Sequence, residues 1–204
     1  GVTVLTSTYT GLPDFYVDTS FRSGAITFSV DIVGDQVDPD PPNSIDITDW
    51  TGQTGGVVVI GNTLSYSGTP TGWQSTVNSV PLASLGAGAD FTVGWTVQTS
   101  PADTIWIVGL GLTETDVENW RDVDFGIRSS AGSLNVRENG IWVKGGGTLA
   151  VGDRLEIAVA GTTLEYRHNG VVIATSTIAG TEEFYIDTAF KSGAIELTSF
   201  TLTQ

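Results

Sequence analysis

The chain has no cysteine, no methionine and a single histidine, His168, and it carries only eight Lys and Arg residues against 23 Asp and Glu in 204. Without cysteine there can be no disulfide, no thiol nucleophile and no thiolate zinc site. One histidine cannot supply a multi-histidine metal centre, and it leaves little room for a Ser-His-Asp triad. No run of 18 or more apolar residues occurs, so no membrane insertion is expected, and the N-terminus lacks the charged start and apolar run of a signal peptide. A formal charge of −15 disfavours nucleic acid and anionic lipid, which are held largely through Lys and Arg. The same acidity suits solubility and hard cations such as Ca²⁺. Runs of Ala, Leu, Glu and Lys are missing too, and long helices with them.

What remains is a strand-forming composition rich in Val, Ile, Thr and aromatics and punctuated by 26 glycines. Short apolar or alternating segments recur at 44–50, 56–61, 63–67, 75–80, 90–99, 103–112, 122–129, 133–144, 153–176, 183–187 and 193–202, separated by turns. That spacing predicts an all-β fold, an antiparallel two-sheet jelly-roll sandwich. In 154–159 the parity puts Leu155, Ile157 and Val159 on one face and Arg154, Glu156 and Ala158 on the other, a half-buried strand. In "TIWIVGLGL" both parities are apolar, so this strand should be covered on both sides. Trp95 and Trp106 are expected in the core. The "HNG" at 168–170 predicts a type I′ hairpin turn with His168 exposed at its tip.

The chain also repeats itself. Residues 1–35 align without a gap on 170–204, and 15 of the first 26 positions are identical. "FYVDTSF" at 15–21 returns as "FYIDTAF" at 184–190. The expected organisation is a segment 1–35 equivalent to the C-terminal part of a unit, an acidic proline-rich linker at 36–43, and a β-sandwich at 44–204. The first copy starts inside a hairpin, without the strand that lies beside the second. Three readings are open: the tail of a preceding repeat, a donor segment completing a neighbouring molecule, or extra strands on the chain's own sandwich. Phe15, Tyr16, Val17, Asp18 and Phe21, with Phe184, Tyr185, Ile186, Asp187 and Phe190, are the candidate assembly residues. Phe184 and Ile186 should face inward and Tyr185 and Asp187 outward, with the Asp-Thr pair closing a turn.

The succession "VGLGL … DVDFGIRSSAGSLNVRENG … VGDRLEIAVAGTTLEYRHNGVVIATS … FYIDTAF" resembles the concanavalin A-like, laminin-G-like jelly rolls found as modules in large bacterial surface proteins. The resemblance covers about 50–204 and is strongest from 105 onward. It implies a two-sheet jelly roll and an extracellular or cell-surface life of adhesion or glycan binding.

Three kinds of site suggest themselves. "TETDVENW" places Glu114, Asp116 and Glu118 on one face if it is a strand, successive members ~7 Å apart, and paired carboxylates are what retaining glycoside hydrolysis uses. The pattern resembles that of lichenase- and laminarinase-type glycosidases, which implies Glu114 as nucleophile and Glu118 as acid/base. Thr115 stands where an aliphatic is expected, however, and "NWRDVDF" follows, so the segment reads better as an acidic loop. For Ca²⁺, the same loop offers Glu114, Asp116, Glu118, Asp122 and Asp124, and a second cluster around the linker offers Asp38, Asp40, Asp46 and Asp49, neither matching a recognised binding loop. For a sugar, whose apolar face stacks on a ring while its hydroxyls need polar partners, Trp73, Trp120 and Trp142 lie in or near turns. Trp120, flanked by Asn119, Arg121 and Asp122, is the preferred contact. The leading expectation is a non-enzymatic adhesion module that assembles head-to-tail with neighbouring copies of itself. A lectin-like carbohydrate-binding module is the alternative and a retaining glycosidase the third.

Overall fold

The computed structural model describes residues 44–68, 72–78, 82, 85–99, 101–112 and 120–204. The first copy of the repeat, with Phe15, Tyr16, Val17, Asp18 and Phe21, lies outside the described residues. So do the linker with Asp38 and Asp40, and the segment carrying Glu114, Asp116, Glu118 and Asn119.

The described residues form the antiparallel sandwich that the strand spacing predicts. In chain order the strands are β1 (Ser44–Asp46), β2 (Val57–Ile60), β3 (Thr63–Gly68), β4 (Gln74–Asn78), β5 (Phe91–Val97), β6 (Ile105–Gly111), β7 (Phe125–Ser130), β8 (Ser133–Glu138), β9 (Ile141–Thr148), β10 (Arg154–Ala160), β11 (Thr163–His168), β12 (Val171–Thr177) and β13 (Tyr185–Thr203). One sheet runs β12-β11-β10-β5-β13-β3-β2, with β1 beside the end of β13. The other runs β4-β13-β6-β7-β8-β9. We call them the first and second sheets.

β13 belongs to both. Residues 185–192 pair with β4 and β6, and residues 193–203 pair with β3 and β5. The sequence suggests two strands broken at "TAFKSG", because the Asp-Thr pair and a glycine both signal a turn. Instead Asp187 Oδ1 accepts the N–H of Thr188 at 2.7 Å within a continuous strand. The glycine supplies a bend between the sheets: Gly193 has φ +89°, and a β-carbon there would stand 2.7 Å from the Asp103 carbonyl oxygen. A second irregularity lies between Thr198 and Thr201, where Ser199 takes φ +51°.

Between the sheets sits the core. Trp95 and Trp106 are buried as expected, at 0% and 1% exposure. Phe200 stacks on Trp95 at 5.9 Å and meets Trp50 edge-on at 5.0 Å. Tyr66 stacks on Phe190, and Phe184 lies edge-on to Phe91 and Phe125. Each large apolar side chain buried here contributes about 1.5–3 kcal/mol relative to exposure. Leu155, Ile157 and Val159 face this core, while Arg154 and Glu156 stay half-buried opposite.

Along one side of the sandwich, Glu138 at the end of β8 ties the sheets together. It accepts the Tyr166 hydroxyl at 2.9 Å and the Ser176 hydroxyl. Burial, then the neighbouring Glu138 charge, raises the Tyr166 hydroxyl well above its ordinary pKa.

Asn139-Gly140 and Asn169-Gly170 both take positive φ at both positions, as type I′ turns require. His168 departs from expectation. It is half-buried, and its Nε2 lies 2.8 Å from Asp153 Oδ2, since the antiparallel pairing of β10 and β11 sets the end of β11 beside the loop before β10.

Candidate functional site

In an antiparallel ladder, residues directly opposite one another project from the same face. On the second sheet Ile127 and Val136 point into the core, so their neighbours in β7 and β8 point outward. The register sets Ala189, Ile107, Arg128 and Asn135 in one outward row, and Asp187, Gly109, Gly126, Arg137 and Trp142 in the next.

A second, smaller apolar cluster covers this outer face. Ile107, Val123 and Ala189 are fully buried, with Trp73 and Trp120 packed against them. This is the covering that the double-sided apolar pattern of β6 foretells. The chain before β7 lies across the sheet, and at Gly126 a β-carbon would stand 2.6 Å from Ile107 Cδ1 and 2.9 Å from Val123 Cγ1. The absence of a side chain at Gly126 therefore lets Val123 seat.

Three of the six tryptophans, far apart in sequence, lie on this face. Trp73 and Trp120 lie 6.2 Å apart, tilted by 41°. Trp142, on the edge strand β9, is opposite Arg137 and 58% exposed. Around the Trp120 ring stand the guanidinium groups of Arg137 at 5.1 Å, Arg121 at 5.4 Å and Arg128 at 5.8 Å. Lys191 Nζ is 5.7 Å from the Trp73 ring.

Of the sugar-contact residues expected from sequence, Trp120 is half-buried and Arg121 exposed beside it, whereas Asn119 lies outside the described residues. Asp122 is half-buried, and its Oδ2 has no hydrogen-bond partner. Burial, then the Asp124 charge, pushes its carboxyl up from the ordinary range. Arg128, Arg137 and Lys191 were not among the expected site residues. A signal existed, since the alternation in "FGIRSS" and "SLNVRE" puts both arginines opposite the apolar positions.

Phe184, Ile186 and Phe190, candidates for assembly, fill the chain's own core, and Tyr185 is half-buried on the outer face. Asp187 was expected to face solvent but is 4% exposed. It stands outward on a central strand that has paired neighbours on both sides. Of the candidate calcium ligands, Asp46 accepts the Asn62 amide at 3.0 Å. Among the described residues, no three His, Cys, Asp or Glu side chains gather as a metal site would need, and Asp46 and Asp49 do not form one.

A surface depression of about 520 Å³ lies elsewhere, between Pro101, Ala131, Ser133, Thr148 and Val151. It is open, and no ionisable side chain lines it. Chemistry is concentrated instead on the tryptophan face.

No protein-family model matches the chain, and no curated protein matches it in sequence. Solved structures share its shape. The exoplasmic/lumenal domain of VIP36, in a Ca²⁺/Man3GlcNAc-bound form, superposes with a TM-score of 0.54 at 9% identity, covering 76% of this chain and 83% of that one. The carbohydrate-binding module CBM66 from Bacillus subtilis gives 0.52 at 13% identity, covering 78% and 98%. With the strand order above, these define the fold as a concanavalin A-like jelly roll. Among the described residues no helix is long and apolar enough to cross a membrane.

Proposed function

We propose that residues 44–204 form a non-catalytic carbohydrate-binding module whose sugar site is the outer face of the second sheet. The observation that carries this reading is that Trp73, Trp120 and Trp142 share that face with polar side chains. Trp142 offers a free ring face for the C–H side of a pyranose, and Arg137 beside it offers donors for hydroxyls. VIP36 in its Man3GlcNAc-bound form and CBM66 support the reading, since both put carbohydrate recognition on this fold. The setting is extracellular, as part of a bacterial surface protein in which sugar binding serves adhesion. Calcium, present with the VIP36 domain, enters this reading only through the acids outside the described residues.

A glycan array followed by calorimetry tests it. The intact chain should bind a polysaccharide or oligosaccharide, and Trp142→Ala should abolish the binding. A blank array would end the proposal. Cleavage of a bound polysaccharide that Glu118→Gln abolishes would replace it with the glycosidase reading.

A second reading, head-to-tail assembly, is favoured by the duplicated segment. The strand that residues 16–34 repeat is β13, which among the described residues is shared by both sheets. A donor copy would therefore have to displace the centre of both sheets. The fit is also imperfect. In the gapless alignment Asp31 falls on Phe200, which is fully buried against Trp95 and Trp50. Straightening the irregularity at Ser199 puts Val30 there instead, leaving a cavity of the kind that costs about 2–5 kcal/mol. The first copy thus suits a different sandwich from the one formed by 44–204. Deletion of residues 1–35 is the test: multimers that persist without them defeat assembly through this segment.

A further inference from the structure

The charge on the tryptophan face runs against the charge of the chain. Arg121, Arg128, Arg137 and Lys191 are half of its eight basic residues, and all four stand over two indole rings. Arg128 and Arg137 are outward diagonal neighbours on β7 and β8, sharing the Trp120 ring from 5.8 and 5.1 Å. Among the described residues neither has a carboxylate within ion-pair distance. Arg137 donates to Asn135 Oδ1 at 3.1 Å and to the Gly140 carbonyl at 3.3 Å. Arg128 Nε is buried with no hydrogen-bond partner. Burial, then repulsion from Arg137, lowers the Arg128 pKa.

A purely structural role accounts for part of this. One guanidinium over an indole is attracted to the electron-rich ring face, and it would hold Trp120 down. It does not explain a second and third cation on the same ring, nor a buried donor left without an acceptor, which is unfavourable. Two adjacent guanidinium forks are what a carboxylate fits, because its two oxygens accept paired N–H donors and its charge ends the repulsion. The nearby acids do not fill that place. The Asp122 charge is disfavoured by burial and by Asp124, and Asp187 is buried with its Oδ1 on the Thr188 N–H. A long polyanion such as nucleic acid would meet the repulsion of the remaining surface, with its net −15. A single charged sugar residue would not.

We infer that the ligand of this face is an acidic sugar, a uronic acid unit whose carboxylate is held by Arg128 and Arg137 while its ring lies against Trp142. This deepens the carbohydrate-binding reading and rests on it.

The experiment is calorimetry of the full chain with oligogalacturonate, with the same oligosaccharide after reduction of its carboxyls to alcohols, and with inorganic sulfate. Binding of the acid form should be at least tenfold tighter than that of the reduced form, and weaker in high salt. Arg137→Gln should lower acid affinity tenfold or more and weaken the reduced form, which loses only a hydroxyl contact, by a much smaller factor. Arg137→Lys, which keeps the charge but not the fork, should fall between, and it serves as the second variant should the glutamine protein fail to fold. Equal affinity for acid and reduced forms would overturn the acidic-sugar inference while leaving the module reading intact. Binding of sulfate as tight as that of the acid sugar would reduce the face to an adventitious anion site. If neither oligosaccharide binds and the glycan array is blank, both readings fall.

Discussion

The guanidinium of Arg154 lies over Gly94, so close that a β-carbon on residue 94 would stand 2.5 Å from its Nη2. From β10 the side chain crosses β5 at this glycine and reaches the irregular part of β13, where it donates to the Ser199 carbonyl and the Thr201 hydroxyl. The gap at Gly94 and the left-handed Ser199 therefore belong to one arrangement.

Gly94→Ala should destabilise the domain by about 1–3 kcal/mol through overpacking. In an Arg154→Ala background the same change should cost much less, because the obstructing group is gone. Urea denaturation of the four proteins in this cycle measures the coupling. Additive effects would mean that the two residues do not share the site.

Asp153 should govern stability in acid. Burial alone would raise its carboxyl, but the Asn169 amide, the Ala150 N–H and His168 outweigh it and hold the pKa below its ordinary 3.8. A folded-state pKa below the unfolded one means that stability is present above the unfolded value and lost as pH falls through the folded one. Asp153→Asn should cost about 1–3 kcal/mol at pH 7. The gap between variant and wild type should shrink from about pH 5 downward, followed by denaturant titration at each pH.

Removing the Glu138 carboxylate strands a buried hydroxyl. Tyr166 is fully buried, and its hydroxyl donates to Glu138 at 2.9 Å. Glu138→Ala should cost about 1–3 kcal/mol, and adding Tyr166→Phe should recover part of the loss. A double variant less stable than Glu138→Ala alone would contradict this account of the sheet-to-sheet tie.

Trp142 and Trp120 should separate binding from folding. Trp142 is 58% exposed on an edge strand, so Trp142→Ala should leave stability within about 0.5 kcal/mol while abolishing sugar binding. Trp120 covers Ile107, Val123 and Ala189, so Trp120→Ala should cost about 1–3 kcal/mol as well as weakening the ligand. Thermal melts and calorimetry on both variants give the comparison.

The fold was legible because it rests on local patterns. Alternation in "RLEIAVA", apolar residues on both parities of "TIWIVGLGL", and the Asn169-Gly170 hairpin turn are each read from a few neighbouring residues, and each appears as expected. The continuity of β13 was not legible. A strand that changes sheets needs a glycine and a polar break at its bend, and these are also the marks of a turn. His168 was misjudged for a similar reason, since its partner Asp153 comes from the far end of the hairpin.

Composition and parity alone determined that this chain is an all-β sandwich with an outward-facing Arg128 and Arg137, because side-chain direction along a strand follows from backbone geometry. Only tertiary structure decided that Trp73, Trp120 and Trp142 share a face with those arginines. Their strands and loops are brought together by register across β13, β6, β7, β8 and β9, and register depends on which distant segments pair, which no local pattern encodes.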